Sequence, residues 1–145
     1  MSNVIPTVKT VLVAEDDTND RMLFEGAVRV LNPPVQFKFV RDGEVAIKYL
    51  KGEGPFENRD TNPLPSLVLL DVRMPKIDGI QVLQWIKSNA QFKDIKVLVW
   101  ADSEFKEHID RARAAGADDI VKKPFYQKGL VEVVRDIVKR VQVGI

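Results

Sequence analysis

The chain has 145 residues, 45% of them hydrophobic and 30% charged, which suits one well-packed core and leaves too little chain for two ordinary domains. We therefore expect one domain over residues 1–145, with its core in about residues 10–141. Since 22 basic residues stand against 21 acidic ones and cysteine is absent, we expect no general affinity for nucleic acid and no disulfide, thiolate metal site or cysteine nucleophile.

Hydropathy gives no sign of a membrane span or a targeting segment. The longest apolar stretches have the length of strands, and residues 1–10 lack the charged start and apolar centre of a signal peptide. The sequence therefore predicts a soluble, cytoplasmic protein with no membrane partner.

Five segments predict strands because they are short, rich in β-branched or aromatic residues and bounded by turn signals: residues 11–14, 35–40, 67–70, 96–100 and 119–122. Apolar stripes at helical spacing follow each strand and predict five helices. In chain order, the stripes are Met22, Leu23, Ala27 and Val30; Ala46, Ile47 and Leu50; Val82, Leu83 and Ile86; Phe105, Ile109, Ala112 and Ala115; and Leu130, Val134, Ile137, Val138 and Val141. This strict alternation predicts an α/β fold with right-handed crossovers and a parallel sheet covered on both faces.

The first predicted strand runs directly into acidic residues. The segment VLVAEDD, residues 11–17, is apolar and then ends in Glu15, Asp16 and Asp17. Asp17 or Thr18 can cap the helix that comes next. Ligands bind beyond the carboxyl ends of the strands in an open parallel sheet, so these acids are expected at a binding edge.

Residues 51–65 (KGEGPFENRDTNPLP) are the one irregular stretch, rich in glycine, proline and asparagine. Because this stretch joins a helix to the next strand, we expect it at the end of the sheet opposite the strand-end acids. We interpret it as a tolerated surface insertion rather than a lid over the site.

The third predicted strand ends in a single acid. In LVLLDVRMPKIDG, residues 67–79, an unbroken apolar run predicts an interior parallel strand, and Asp71 terminates it before a proline and glycine turn. With Glu15 and Asp16, at least three carboxylates then meet at one sheet edge. Such a cluster repels itself and favours a hard cation such as Mg²⁺, which prefers oxygen ligands. The alternative is that these acids only cap helices and turns.

The fifth predicted strand brings a lysine to the same edge. The segment KKPF, residues 122–125, closes that strand with a proline that cannot continue the ladder. The ammonium of Lys123 beside a carboxylate–metal site suits an incoming phosphoryl group. A simple salt bridge to Asp71 is the alternative, and both can hold in the resting state.

Four motifs in this order resemble the receiver domains of two-component response regulators. They are the acidic pair, the strand-ending aspartate with MPKIDG behind it, the AGA before the last strand, and KPF. The resemblance covers about residues 10–141. It implies a flavodoxin-like, three-layer sandwich with a five-stranded parallel sheet in the order 2-1-3-4-5, in a single receiver domain of the stand-alone type.

The same resemblance implies roles for individual residues. Asp71 would be the phosphoacceptor and Lys123 the contact to the phosphoryl group. Mg²⁺ would be held by Glu15, Asp16, Asp71 and the backbone carbonyl of Arg73. A carboxylate is a competent nucleophile toward phosphorus when a metal and a lysine neutralise the developing charge.

Two positions depart from the pattern of the family. Ala101 stands where receivers carry threonine or serine at the end of the fourth strand, and Ile120 stands where they carry an aromatic residue three before the lysine. Asp102 and Ser103 are weaker substitutes for the missing hydroxyl, because an offset of one or two residues points the side chain elsewhere.

These departures leave two functions open. The first is a phosphoacceptor that takes its phosphoryl group from a sensor histidine kinase or a histidine phosphotransfer protein and signals to a downstream protein target. The second is a phosphorylation-independent adaptor that Ala101 and Ile120 keep in one state. An enzyme acting on other substrates is less favoured, because the chain has no G-x-G-x-x-G motif or P-loop.

The last helix carries apolar residues outside its main stripe, namely Val131, Val133 and Val143. Homodimerisation through this helix and the adjoining strand face is one hypothesis, and deep burial of the helix within the domain is the other.

Overall fold

The computed structural model describes residues 8–102, 106–124 and 127–143. Its strands are β1 Thr10–Ala14, β2 Gln36–Val40, β3 Leu67–Asp71, β4 Lys96–Ala101 and β5 Asp119–Lys122. All neighbouring strands pair in parallel, and their spatial order is β2-β1-β3-β4-β5. The predicted flavodoxin-like fold is therefore confirmed. The strand bounds differ from the predicted ones by at most one residue at an end, so that Asp71 belongs to β3 and Ala101 to β4.

Within the described residues, five α-helices cover the sheet: α1 Thr18–Leu31, α2 Gly43–Lys51, α3 Gly79–Ser88, α4 Lys106–Ala114 and α5 Gln127–Val143. Short 3₁₀ turns lie at Gly54–Phe56 and Ala90–Phe92. One apolar cluster joins α1 and α5 to the sheet, and a second cluster joins α2, α3 and α4 to the other face. The three layers result from this division. None of the described helices is long and apolar enough to cross a membrane.

Helix ends agree with the local sequence signals. The Asp17 carboxylate caps α1 by accepting a hydrogen bond of 2.9 Å from the backbone N–H of Asp20. Gly116 lies just after α4 with a φ of +95°, the left-handed conformation that glycine adopts at low cost. Phe105, the first residue predicted for the stripe of this helix, lies outside the described residues.

The predicted stripes of α3 and α5 are buried, but that of α1 is largely wrong. Met22, Leu23 and Val30 are 61%, 47% and 70% exposed, whereas Phe24 and Ala27 are buried. The Phe24 ring lies 5.6 to 5.9 Å from three aromatic rings, those of Phe37, Phe39 and Trp100. Two apolar faces compete on this helix, and the face with the aromatic ring packs on the sheet because it buries more apolar area per side chain.

Hydrogen bonds and an aromatic contact hold residues 51–65 against the end of α2. The Arg59 guanidinium donates hydrogen bonds to the carbonyl oxygens of Tyr49 at 2.8 Å and Leu50 at 2.7 Å, in the last turn of the helix. The Tyr49 hydroxyl donates to the carbonyl of Pro63 at 2.8 Å. The Phe56 ring packs at 5.0 Å from the Tyr49 ring. The segment therefore has a defined path with its own contacts.

The expectation that this segment lies only at the far end of the sheet is wrong for one part of it. Pro55 and Phe56 line a groove together with Phe39, Val40 and Arg41, at the carboxyl end of β2. The segment therefore reaches back along the outer edge of the sheet. The reason is the short α2 of nine residues, on whose Tyr49 ring Phe56 packs.

Candidate functional site

Strand pairing brings the three predicted acids to one edge of the sheet. Ala14 pairs with Leu70 in the β1–β3 ladder, so Glu15 and Asp71 are the next residues on two neighbouring strands. The ladders continue past the strand ends, because the backbone N–H of Glu15 donates to the carbonyl of Val40 at 3.0 Å. Asp16 is the next residue on the same loop and is exposed.

Lys123 reaches this edge from the end of β5. Its backbone N–H donates to the carbonyl of Ala101 at 3.0 Å, which holds the residue beside β4. The ammonium Nζ donates to Asp71 Oδ2 at 2.7 Å and to Glu15 Oε1 at 3.2 Å. The side chains of Lys123, Asp71 and Glu15 are 17%, 7% and 4% exposed, so the ion pairs are shielded from water. Such pairs are stronger than exposed ones because water screens them less.

The carboxylates are spaced for a metal ion. Glu15, Asp16 and Asp71 each offer an oxygen, and these oxygens lie within 4.8 Å of one another. Two opposite oxygen ligands of Mg²⁺ are about 4.2 Å apart, twice its usual bond length. Because two acids are buried and Asp16 faces solvent, the group fits a hard divalent cation that keeps waters on its open side.

Burial and neighbouring charges shift the pKa values of Glu15 and Lys123. Burial raises the pKa of Glu15 to about 9, and the hydrogen bond and charge of Asp71 add to this effect. Burial lowers the pKa of Lys123, but the hydrogen bonds and charges of Asp71 and Glu15 together outweigh it, so the pKa is raised overall. Glu15 is therefore protonated more readily than an exposed glutamate, and a cation bound at the site would compete with that proton.

The turn after β3 holds Asp71 in place. Asp71 Oδ1 accepts a hydrogen bond of 3.1 Å from the backbone N–H of Arg73. The backbone N–H of Gly79 donates to the carbonyl of Val72 at 2.9 Å, and a Cβ at position 79 would collide with the Asp71 carbonyl oxygen. Gly79 is thus a site residue that the sequence interpretation did not single out. Its signal was its place in MPKIDG, where a turn must bring the chain back against the strand.

Arg73 contributes differently through its backbone and its side chain. Its guanidinium Nη2 lies 3.2 Å from Asp102 Oδ2, and this side chain is 60% exposed. That its carbonyl binds the metal stays a prediction. The Asp102 carboxylate, paired in this way, is an acceptor only and is a poor substitute for a hydroxyl donor. Ser103, the other suggested substitute, lies outside the described residues, as does Phe125 of the KPF motif.

The two positions that depart from the receiver pattern lie on β4 and β5, the strands that lead to Lys123. Ala101 is 2% exposed, and its side chain ends in a methyl group. Ile120 pairs with Val99 in the β4–β5 ladder and packs partly against the apolar cluster under α2, α3 and α4. Neither side chain carries a polar atom toward the pocket.

The apolar surface of α5 is mostly used within the domain. Val131 and Val133 pack partly against the cluster shared with α1, while Val143 is 61% exposed. The hypothesis of a homodimer through this helix stays a prediction.

Comparison with known proteins gives one consistent result. The profile of the response regulator receiver domain family matches residues 11–135. Response regulator Rcp1 from Synechocystis is 30% identical over 137 residues, which cover 94% of this chain and 91% of Rcp1.

Solved structures agree with this family match. The phosphorylated cyanobacterial phytochrome response regulator RcpA has a TM-score of 0.82 at 30% identity, covering 94% of this chain and 95% of RcpA. RPA3017, a response regulator in red light signalling of R. palustris, has a TM-score of 0.83 at 30% identity, covering 92% and 93%. Rcp1 has also been solved with bound Mn²⁺, with a TM-score of 0.76 at 29% identity over 89% of this chain and 91% of Rcp1.

Proposed function

The chain belongs to the response regulator receiver domain family, and we propose from this premise that Asp71 accepts a phosphoryl group from a histidine kinase or a histidine phosphotransfer protein. The Asp71 carboxylate oxygen attacks phosphorus, a P–O bond forms, and the P–N bond to the donor imidazole breaks. The product is an acyl phosphate on Asp71. We place this exchange in the cytoplasm.

Each neighbouring side chain has a part in the proposed reaction. Lys123, at 2.7 Å from Asp71, neutralises charge on the phosphoryl oxygens as they arrive. Glu15, Asp16 and Asp71, with the Arg73 carbonyl, are the proposed ligands of Mg²⁺. When bound, Mg²⁺ screens the repulsion between the incoming phosphoryl group and the acids. Lys123 and the buried position of Asp71 also keep the nucleophile in one orientation.

One observation carries this proposal, namely the partly buried ammonium of Lys123 between two buried carboxylates, with a third acid within metal-binding distance. Acids that merely cap helices or turns do not need a shared lysine. Asp71 does accept a turn hydrogen bond, but only through Oδ1, while Oδ2 faces the lysine.

The test is an intact-mass measurement after incubation with Mg²⁺ and acetyl phosphate. We expect the mass of one phosphoryl group to be added to the natural chain and nothing to be added to Asp71→Asn. A parallel sample with EDTA should stay unmodified, because the acids would repel the donor. The proposal fails if the natural chain gains no mass, or if Asp71→Asn gains the same mass.

A phosphorylation-independent adaptor is the second candidate, favoured by the buried methyl group of Ala101 and by Ile120. In that case a protein target would bind the natural chain and Asp71→Asn with equal affinity, in the presence or absence of acetyl phosphate. A phosphorylation-dependent change in target affinity would exclude it. In neither case do we expect turnover of a substrate beyond the chain's own phosphorylation and dephosphorylation.

The relatives suggest which kinase to test first. RcpA is a phytochrome response regulator, and RPA3017 acts in red light signalling. We therefore propose a histidine kinase of the phytochrome class as the upstream donor. Radiolabelled phosphate on such a kinase should move to the natural chain within minutes and not to Asp71→Asn. Faster transfer from a kinase without a phytochrome module would contradict this assignment.

The exposed apolar residues of α1 support contacts with an upstream kinase or a downstream target protein. Met22, Leu23 and Val30 form a group on one side of this helix that nothing in the described part of the chain covers. Such exposed apolar groups are typical of protein-binding surfaces. We propose that signalling proceeds through contacts of this kind.

A further inference from the structure

A groove of about 400 Å³ runs along the outer edge of the sheet, beside β2. We call it the β2-edge groove and define it by its main lining residues, Arg21, Phe39, Arg41, Lys48, Pro55 and Phe56. Its walls come from α1, the end of β2, α2 and the segment 51–65. None of these residues belongs to the acidic cluster of Glu15, Asp16 and Asp71.

The lining is positively charged, although the chain as a whole is nearly neutral. The groove residues include three cations, Arg21, Arg41 and Lys48, and no acid. A concave surface with charges of one sign raises the local concentration of ligands of the opposite sign.

These cations are weakly neutralised within the described residues. The side chain of Lys48 is exposed and makes no hydrogen bond or ion pair there. Arg41 is 79% exposed and lies 3.9 Å from Asp42, whose carboxylate also caps α2 at 2.8 Å. Arg21 donates at 2.7 Å to the backbone carbonyl of Glu15, which is a neutral acceptor. All three charges are therefore available to a ligand.

The remaining lining is apolar and partly held in place. Phe56 is half-buried against Tyr49 at 5.0 Å, and Phe39 packs edge-on against Phe24 at 5.6 Å. Pro55 restricts the backbone beside Phe56. An apolar side chain placed between these rings would bury area without disturbing the core.

We infer that the β2-edge groove is a docking site for an acidic segment of a partner protein, one that carries an aromatic or large aliphatic side chain among its carboxylates. The cations come from three different elements, so they match carboxylates spaced along a peptide better than one compact phosphate. This inference is independent of phosphorylation at Asp71.

Selection from a phage-displayed library of random dodecamer peptides on the immobilised full chain tests the inference. We expect enrichment of peptides with several acidic residues and one aromatic or large aliphatic residue. A fluorescein-labelled synthetic copy of the most enriched peptide then gives affinities by fluorescence anisotropy. The absence of enrichment over a bare surface, or enrichment of peptides without acids, overturns the inference.

The charge-reversal pair Arg41→Glu and Lys48→Glu should weaken binding of that labelled peptide by about tenfold or more, since two charge contacts become repulsive. The pair Arg29→Glu and Lys93→Glu is the matched control, because it reverses one arginine and one lysine at exposed positions outside the groove. It should change the affinity less than about twofold. Equal losses in the two pairs would contradict a groove-specific contact.

Two further readouts locate the peptide. Amide chemical shifts on ¹⁵N-labelled protein should change mainly in residues 39–56, and Phe56→Ala should weaken binding with little change in the circular dichroism spectrum. Asp71→Asn should bind the peptide as the natural chain does, so failure of the groove and failure of the phosphoacceptor are separable. Shifts confined to α4 or α5 would overturn the inference.

Discussion

Two neighbouring regions of the sheet differ in the chemistry of their side chains. In the pocket formed by β1, β3 and β5, Lys123 bridges two buried carboxylates, and a third acid lies within metal-binding distance. The strands that lead to Lys123, β4 and β5, carry Ala101 and Ile120, which have no polar side-chain atom. The side chains suited to binding a phosphoryl group are therefore different from those at the two positions where receivers respond to it.

This difference shows that the two properties can be separated in one fold. The two buried acids lie at the ends of buried strands, where burial and strand register hold them whatever residues occupy positions 101 and 120. A conformational response requires contacts that differ between two states, and Ala101 and Ile120 offer no side-chain hydrogen bond that could differ. Substitutions in the pocket should therefore change phosphorylation, and substitutions at positions 101 and 120 should change the conformational response.

The largest effect is expected from removing the lysine. Lys123→Ala should slow phosphorylation by acetyl phosphate by about 10²–10³-fold, the usual loss when one charge-stabilising donor is removed. The rate of mass gain at fixed Mg²⁺ measures it. Lys122→Ala is the matched control, because Lys122 is exposed and adjacent in sequence. Similar rates in both variants would mean that the ammonium near Asp71 plays no part.

A backbone change should disturb the same pocket without removing a charge. Gly79→Ala places a methyl group against the Asp71 carbonyl, and we expect a loss of about 1–3 kcal/mol in the free energy of unfolding, as for other overpacked positions. Urea denaturation measures it. Gly26→Ala, within α1, is the control and should not destabilise, since alanine is favoured in helices. An equally stable Gly79→Ala would mean that the turn relaxes freely.

The acidity of Glu15 gives an effect of similar size with a definite sign. Its folded pKa of about 9 exceeds the ordinary 4.5, so the folded state binds more protons between these values, and the stabilisation is lost as pH rises toward 9. In EDTA we expect the unfolding free energy to fall by about 2–3 kcal/mol between pH 5.5 and 7.5. Urea titrations at several pH values measure it.

Two variants and the addition of Mg²⁺ test whether Glu15 causes this pH dependence. Glu15→Gln should flatten the decline, whereas Glu57→Gln, at an exposed position, should leave it unchanged. Mg²⁺ should stabilise the natural chain more at pH 7.5 than at pH 5.5, because the metal competes with the proton. An unfolding free energy that rises with pH in EDTA would contradict the assigned direction.

The smallest effect concerns the conformational response to phosphorylation. Ala101→Thr adds the hydroxyl that receivers carry at this position, while Ala101→Val adds a similar volume without it. With beryllofluoride as a phosphoryl mimic, amide shifts of the natural chain should stay near the ends of β1, β3 and β5. In Ala101→Thr they should extend into α4, and in Ala101→Val they should not. Wide shifts in the natural chain would show that it already has a working readout.

Much of the architecture arises from local patterns. The apolar runs of β1 and β3 predicted interior strands, and each is buried along its whole length. The stripes of α3 and α5 predicted their buried faces, because each helix has one main apolar side. Helix α1 has two apolar sides, and its sequence could not decide between Met22 and Phe24. The partner rings that bury Phe24 come from β2 and β4, which local periodicity does not contain.

The path of residues 51–65 shows the same limit. Composition predicted an irregular segment, and beyond Lys51, the last residue of α2, it contains a 3₁₀ turn at Gly54–Phe56 and no strand. That Arg59 binds the last carbonyls of α2, and that Phe56 returns to the β2 edge, depends on distances through space. Glycine and proline content indicates where a chain turns but not what it then contacts.

By itself, the sequence determined the order of strands and helices and the acids that end two of the strands, because hydrophobic periodicity and turn residues act over a few neighbouring positions. Only the tertiary structure decided that Lys123 lies between Asp71 and Glu15, from which it is separated by 52 and 108 residues in the chain. It also decided which face of α1 is buried and that the β2-edge groove exists. Packing of distant elements fixes these features, because each of them depends on atoms that are close in space and remote in sequence.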